Sequence, residues 1–337
     1  MRRYLRKYWL SAVLFIAIFF VGIFFGSLLP KPSNPPAAVI TQVRDPNDLY
    51  PLIDPALYVE TPESLSFPTY TPLYNALKNY VNTAEANNSA TDISVYFKDL
   101  NSSDWVGINY TDQYDGASML KVVTLIALLR ASEAEPSLLS GKISVPATAV
   151  LSPINEQDFF PPENPVEDGQ TYTIKYLMTQ LITQSDNGAN TLLHMYLGVG
   201  PLQEIYTDLH IPISNTSANL VSPQQYSHLF RTLYNASYLN QADSEEALEL
   251  LSRTTFTQGL VAGVPSGTTV AHKFGERTLG SGTSAVHELH DCGIVYYPNH
   301  PYFLCVMTRG SDFPTLEGII KDISSITWAQ VSKLAKK

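Results

Sequence analysis

The chain has 337 residues, 45% of them hydrophobic and 15% charged, and a formal net charge of −10 at pH 7. That length holds one large or two ordinary domains, and that composition supplies a buried core and excludes wholesale disorder. The acidic balance, with no basic stripe beyond the N-terminus, argues against a nucleic-acid partner.

The first element in chain order is a candidate membrane anchor. "MRRYLRKYWL" carries Arg2, Arg3, Arg6 and Lys7, and no charged residue follows from Tyr8 to Leu29. About 20 apolar residues in a helix span a bilayer core. Basic residues ahead of the span keep the N-terminus in the cytoplasm and send the rest across. A cleaved signal peptide would have a shorter apolar region and a small-residue cleavage site; "GSLLPKP" supplies neither. The expectation is an uncleaved single-pass transmembrane helix within residues 1–29, with the body outside the cytoplasm. Residues 30–71 repeat proline without an apolar period and predict an extended stalk, with packing of its later part, around Leu49 to Tyr58, against the body left open. The folded body is expected over residues 72–337.

Within the body, Leu73, Leu77, Tyr80 and Val81 recur at helical spacing. "DISVYFKDL" alternates as a strand, and "SDWVGINYTD" reads as its hairpin partner. A long apolar helix follows Ser118, and one or two more lie in "YTIKYLMTQLITQSDNGANTLLHMYLG". Ser222 followed by Pro223 marks a helix start, and "SEEALELLSRT" is a further helix. Strands return in "TTVAHKFGE", "AVHELHDCGIVYYP" and "PYFLCVMTRG", and an amphipathic helix closes the chain. Strands at both ends with helices between them predict an α/β (α+β) fold, in which one antiparallel sheet is made from the two chain ends and an all-helical subdomain is inserted. Cys292 and Cys305 fall on the last two strands. They are expected as two buried thiols, with a bridge as the lesser alternative.

The chemistry starts at "GASMLKVVTLIALLR". Residues three apart on a helix share a face, so Ser118 lies beside Lys121. A serine hydroxyl needs a base. A lysine in apolar surroundings loses solvation, its pKa falls, and its neutral form can act as that base. A helix N-terminus adds backbone donors for an oxyanion. Alone, this spacing also fits a lysine snorkelling from an ordinary helix. Two further segments weigh against that reading: Ser185-Asp186-Asn187 at the end of an apolar helix, and Lys273-Phe274-Gly275 on a predicted strand. Singly these too have bland readings, a helix cap and an edge-strand charge.

The three segments in this order resemble the S-x-x-K, S-D-N and K-T-G set of class A β-lactamases and penicillin-recognising serine hydrolases. The resemblance runs from about Pro72 to the C-terminus and implies a β-lactamase/transpeptidase-like fold. It implies that Ser118 is the acyl-forming nucleophile and Lys121 its proton acceptor. Ser185 would protonate the leaving nitrogen, and Asn187 would anchor Lys121 and the substrate amide. Lys273, beside Gly275, would bind the substrate carboxylate, and the backbone N–H groups of Ser118 and Glu276 would form the oxyanion hole.

Two departures stand out. Phe274 replaces the hydroxyl-bearing residue of the third segment. The stretch "YTDLHIPISNTSANLVSPQQY" carries Asp208 but no glutamate to activate a deacylating water. General-base help is worth about 10²–10⁴-fold, so slow deacylation is expected. The resemblance implies an extracytoplasmic acyl-enzyme-forming hydrolase acting on β-lactams or D-Ala-type ends of cell-wall peptides. A non-turnover peptidoglycan- or partner-binding member of the same fold is the alternative. His194, His228, His272, His287 and His290 show no metal spacing; His287 and His290 fall on opposite faces of a strand. No metal and no cofactor are expected.

Overall fold

The computed structural model describes residues 50–53, 68–102, 104–147, 151, 159–212 and 219–335. The anchor expected within residues 1–29 and most of the expected stalk lie outside them. Among the described residues no helix is long and apolar enough to cross a membrane.

Helix α1 (Thr71–Ala86) starts with Pro72 in its first turn and buries Leu73, Leu77, Val81 and Ala84 along one stripe. The chain then forms β1 (Asp92–Asp99) and β2 (Trp105–Ile108). Near its other end come β7 (Val270–Leu279), β8 (Val286–Val295) and β9 (Tyr302–Gly310). These five strands make one sheet in the order β2-β1-β9-β8-β7, and every pairing is antiparallel. The expected sheet from both chain ends is therefore present, with the first strand seated against the last.

The two faces of β9 show how the sheet divides the core. Phe303, Cys305 and Met307 face the helical half of the molecule. Tyr302, Leu304 and Val306 join α1 and the closing helix α8 (Phe313–Leu334). The strand reads as a continuous apolar run because it is buried on both faces. Asp312 caps α8, its carboxylate accepting from the Thr315 N–H at 2.9 Å.

Between the strands lie the inserted helices: α2 (Lys121–Ala134), α3 (Ile174–Thr183), α4 (Asn187–Leu197), α5 (Val199–Asp208), α6 (Pro223–Tyr234) and α7 (Gln241–Ser252). Helix α6 starts as its sequence predicts. Ser222 accepts from the Gln225 N–H and the Gln225 side chain accepts from the Ser222 N–H, a reciprocal cap. Two short strand pairs lie apart from the main sheet: β3 (Tyr114–Asp115) with β6 (Leu220–Val221), and β4 (Lys142–Ser144) with β5 (Thr171–Thr173).

One expectation is corrected. Cys292 and Cys305 are joined by a disulfide, not held as thiols. The β8–β9 register sets them directly opposite, with Cα atoms 3.9 Å apart. The strand pattern alone placed both on one face but could not fix that register. Residues 50–53, in the part of the stalk whose packing the sequence leaves open, lie against the body. The Leu52 N–H donates to both carboxylate oxygens of Glu245, at 3.0 and 2.9 Å, and the Leu52 carbonyl accepts from the Tyr296 hydroxyl at 2.8 Å. Ile53 is fully buried. A contact made by one short non-periodic segment leaves no pattern to read.

Candidate active site

Ser118 sits in the 3-10 turn Ala117–Leu120 that runs directly into α2. The turn is sharply held. Ala117 has a φ of 42°, in the left-handed region rarely used by residues with a side chain. The Asp115 carboxylate accepts from the Ala117 N–H at 3.0 Å, and the Gly116 carbonyl accepts from the Met119 N–H at 2.9 Å. The buried Tyr226 hydroxyl donates to the Met119 carbonyl at 2.9 Å, pinning the turn from α6. Helix α2 is buried on all sides from Lys121 to Leu129, so its first residue enters the interior whatever its charge.

The Lys121 amine lies 3.0 Å from Ser118 Oγ, 2.7 Å from Asn187 Oδ1 and 3.2 Å from Ser185 Oγ. It also donates to the Ser185 carbonyl oxygen. Burial pushes its pKa down to about 7, against the pull of Asp186 and Glu276. Near neutrality the amine is therefore divided between a charged form and a neutral form whose lone pair can take a proton.

Ser185 follows α3 with a φ of 55°. That strained backbone turns its carbonyl and hydroxyl together toward Lys121. Asp186 does the capping. One carboxylate oxygen accepts from the Ala189 N–H at 2.7 Å and the other from the Val166 N–H at 2.8 Å. Asn187, the first residue of α4, is thereby presented to Lys121. The segment is thus both a helix cap, through its middle residue, and a site wall, through its outer two.

Lys273 lies on β7, the sheet edge, yet is completely buried. It is not a solvated edge charge. Its amine donates to Ser185 Oγ at 2.9 Å and to the Phe274 carbonyl at 3.1 Å. Burial, and then the neighbouring Lys121 charge, hold its pKa well below the usual lysine range. Ser185 Oγ thus stands between two depressed amines. Ser118, Lys121, Ser185 and Lys273 form one unbroken hydrogen-bonded chain drawn from three elements.

The strand also approaches the nucleophile turn through its backbone. A Cβ at Gly275 would come within 3.1 Å of the Gly116 carbonyl oxygen and 3.2 Å of the Met119 nitrogen. The Thr269 carbonyl accepts from the Tyr296 N–H at 3.0 Å. Counting on by twos, Gly275–His290 and Arg277–Glu288 are the hydrogen-bonded pairs, and Glu276–Leu289 is not. The Glu276 N–H is therefore turned away from β8, toward the edge that faces the turn of Ser118.

Several neighbours carried no sequence signal. The Glu276 carboxylate accepts from the Phe160 N–H at 3.2 Å, and the Gln184 side chain accepts from the Glu163 N–H at 3.2 Å. Phe160 and Phe274 meet edge to face at 5.5 Å between centroids. Thr124, one turn below Lys121, pairs with His194 Nε2 at 2.8 Å. Asp208 closes α5 and accepts from the Tyr238 hydroxyl at 2.7 Å. His287 pairs with Thr278 at 3.0 Å, and His290 accepts from the Thr308 N–H at 3.3 Å. Among the described residues no three His, Cys, Asp or Glu side chains gather as a metal site.

A family model described as the beta-lactamase enzyme family matches residues 72–331. The chain is 28% identical to beta-lactamase VEB-1 of Pseudomonas aeruginosa over 276 residues, 73% of this chain and 87% of that one. Among solved structures it resembles a beta-lactamase from Chitinophaga pinensis, at 20% identity and a TM-score of 0.66, over 76% of this chain and 100% of that one. It also resembles a variant of PBP-A captured as an acyl-enzyme with penicillin G, at 20% identity and a TM-score of 0.64, over 79% and 100% of the two chains.

Proposed function

The chain belongs to the beta-lactamase enzyme family of serine hydrolases, and on that premise we propose that it forms an acyl-enzyme at Ser118 with β-lactams or D-Ala-type cell-wall peptides and releases it slowly. The observation that carries this reading is the Lys121 amine, hydrogen-bonded at once to Ser118, Ser185 and Asn187.

The steps follow from the geometry. Ser118 Oγ attacks the carbonyl carbon as its proton passes to neutral Lys121. The oxygen of the tetrahedral intermediate takes its charge against the N–H groups of Ser118 and Glu276. The carbon–nitrogen bond then breaks, and the leaving nitrogen takes the proton of Ser185 Oγ. A proton relayed through Lys121 or Lys273 replaces it. The acyl group is left as an ester on Ser118 until water hydrolyses it. Residues 209–221 contain no Asp or Glu, and Asp208 is held by Tyr238. A base for that water is therefore wanting from this stretch, which supports slow release.

We place the enzyme outside the cytoplasm, tethered through residues 8–29. The uncharged run behind Arg2, Arg3, Arg6 and Lys7 supports this. So does the Cys292–Cys305 disulfide, a bond that persists in oxidising compartments.

The test is a fluorescent penicillin followed by intact-mass measurement. A long-lived adduct that maps to Ser118 and vanishes in Ser118→Ala is expected. Fast turnover of a chromogenic β-lactam would overturn the slow-release part. Absence of any adduct would leave the non-covalent binding role.

A further inference from the structure

We infer that Glu288 is a positioning residue for acylation: its buried carboxylate holds the turn of Ser118 in place through Asp115. The inference rests on the acyl-enzyme reading above and adds to it the device that aims the nucleophile.

Four strands bring one row of alternating charge together on the sheet. Arg277 on β7 stands opposite Glu288 on β8, Glu288 opposite Arg309 on β9, and Arg309 opposite Asp92 on β1. Opposite charges directly across neighbouring strands attract. Side chains alternate along a strand, so Glu288 shares a face of β8 with His290 and Cys292. The partners of those two on β7 are Gly275 and Lys273, so this is the face of the site. Glu288 is fully buried there. Its Oε1 accepts from Arg309 Nε at 2.8 Å and lies 2.7 Å from Arg309 Nη2. Arg309 Nη1 in turn donates to Asp92 at 3.1 Å. Its Oε2 accepts from the Asp115 N–H at 3.2 Å and lies 3.7 Å from His290 Nε2. Burial works to raise the Glu288 carboxyl, but His290 and Arg309 beside it hold it below the usual carboxylate range, so it stays charged.

A buried ion pair is a weak source of stability, and apolar residues often serve as well. What apolar side chains could not supply is an acceptor for Asp115. The Gly116 N–H donates to the Asn219 carbonyl at 3.0 Å. Tyr114 and Gly116 therefore turn toward β6, and the Asp115 N–H turns away from it. The Glu288 carboxylate receives that amide. The Asp115 side chain then receives another, its Oδ1 accepting from the Ala117 N–H at 3.0 Å, while its Oδ2 lies 3.5 Å from Arg277 Nε. Ala117, with its φ of 42°, is the strained residue immediately before Ser118. After Ser118, the Tyr226 hydroxyl donates to the Met119 carbonyl at 2.9 Å. The nucleophile is thus clamped from both sides, by Glu288 and Asp115 before it and by Tyr226 after it.

The test is stopped-flow acylation by a chromogenic β-lactam over a range of donor concentrations, with the labelled fraction of Ser118 read by intact mass. It compares the wild type, Glu288→Gln, Asp115→Ala and the double variant. In Glu288→Gln the amide keeps its oxygen on Arg309 and turns its NH2 toward the Asp115 N–H, so the acceptor is lost at constant size. The limiting acylation rate is expected to fall about tenfold, against about 10²-fold for a 1 Å misplacement. The half-saturating donor concentration and the final labelled fraction stay as in the wild type. Asp115→Ala cuts the link to Ala117 and is expected to lose about tenfold in the same way. Independent effects would multiply to about 10²-fold, whereas the double variant stays near the slower single variant, because both act on one path. An unchanged rate in Glu288→Gln overturns the inference. So do losses that multiply in the double variant, or a smaller labelled fraction at the wild-type rate. Should Glu288→Gln not fold, Asp115→Ala decides: a slower rate with full labelling supports the inference, and a wild-type rate overturns it. A wild type whose Ser118 takes no label overturns the acyl-enzyme reading itself, which is a different outcome.

Discussion

The Asn187 side-chain oxygen accepts a 2.7 Å hydrogen bond from the Lys121 amine, across the gap between the first turns of two different helices. A neutral amide there holds the lysine in place without stabilising its charge as a carboxylate would. Burial lowers the amine's pKa to about 7, and a carboxylate in place of the amide would raise it.

The rate of Ser118 acylation is expected to follow the neutral fraction of Lys121. It rises about tenfold per pH unit below 7 and levels off above, since the base is the deprotonated form. Asn187→Asp puts a negative charge beside the amine, raises its pKa and moves the rise to higher pH by one unit or more. Stopped-flow acylation across pH 5–10 measures both. An unchanged profile in Asn187→Asp would remove Lys121 as the base.

Lys273→Met is expected to separate chemistry from stability. The thioether fills similar volume, but Ser185 loses its 2.9 Å partner. Acylation should fall about 10²–10⁴-fold, the usual worth of proton-transfer help. Removing a buried, desolvated amine should leave thermal stability equal or higher. Parallel acylation rates and thermal melts provide the check; a large loss of stability would make Lys273 a structural residue.

Gly275→Ala tests the approach of β7 to the nucleophile turn. The added Cβ would press on the Gly116 carbonyl and the Met119 nitrogen, at 3.1 and 3.2 Å. Strand and turn must part by a few tenths of an ångström. Displacement of 1 Å costs about 10²-fold in well-aligned sites, so a loss of about tenfold in acylation is expected, with little change in fold by circular dichroism.

The Cys292–Cys305 bridge closes a short loop, with a separation of 13 residues. The chain-entropy estimate for such a loop is about 3 kcal/mol. The double Cys→Ala protein should lose about 2–3 kcal/mol in urea unfolding. Cys292 stands directly opposite Lys273 in the β7–β8 register, so Ser118 acylation at low denaturant should slow as well; an unchanged rate would show that the bridge supports stability alone.

The sequence made the elements legible wherever a single periodicity ruled. The stripe of α1, the Ser222–Pro223 start of α6 and the alternation of β1 were all visible. So were Ser118, Lys121, Ser185, Asn187 and Lys273, because three short segments in a fixed order resemble a known set. Whatever depended on a meeting of distant segments stayed hidden. The Leu52–Glu245 contact joins residues 193 apart, and Phe160 reaches Glu276 across 116. Spacing also blurred the nucleophile's setting. Ser118 reads as the first turn of a helix but occupies a 3-10 turn, its backbone bent at Ala117 before α2 begins. Local strain of that kind arises from neighbours such as Asp115 and Tyr226 and has no composition of its own.

Strand β1, formed early in the chain, pairs on one side with β9, which ends at Gly310. Strand β7, which carries Lys273, reaches β1 only through β8 and β9. During synthesis the first half of the molecule therefore waits, its hairpin unpaired, until nearly the whole polypeptide has emerged. Such delayed long-range pairing is slow and exposes a sticky edge. Truncations that stop before Tyr302 should yield aggregating chains with no competent serine, so reactivity is acquired only at the very end of maturation.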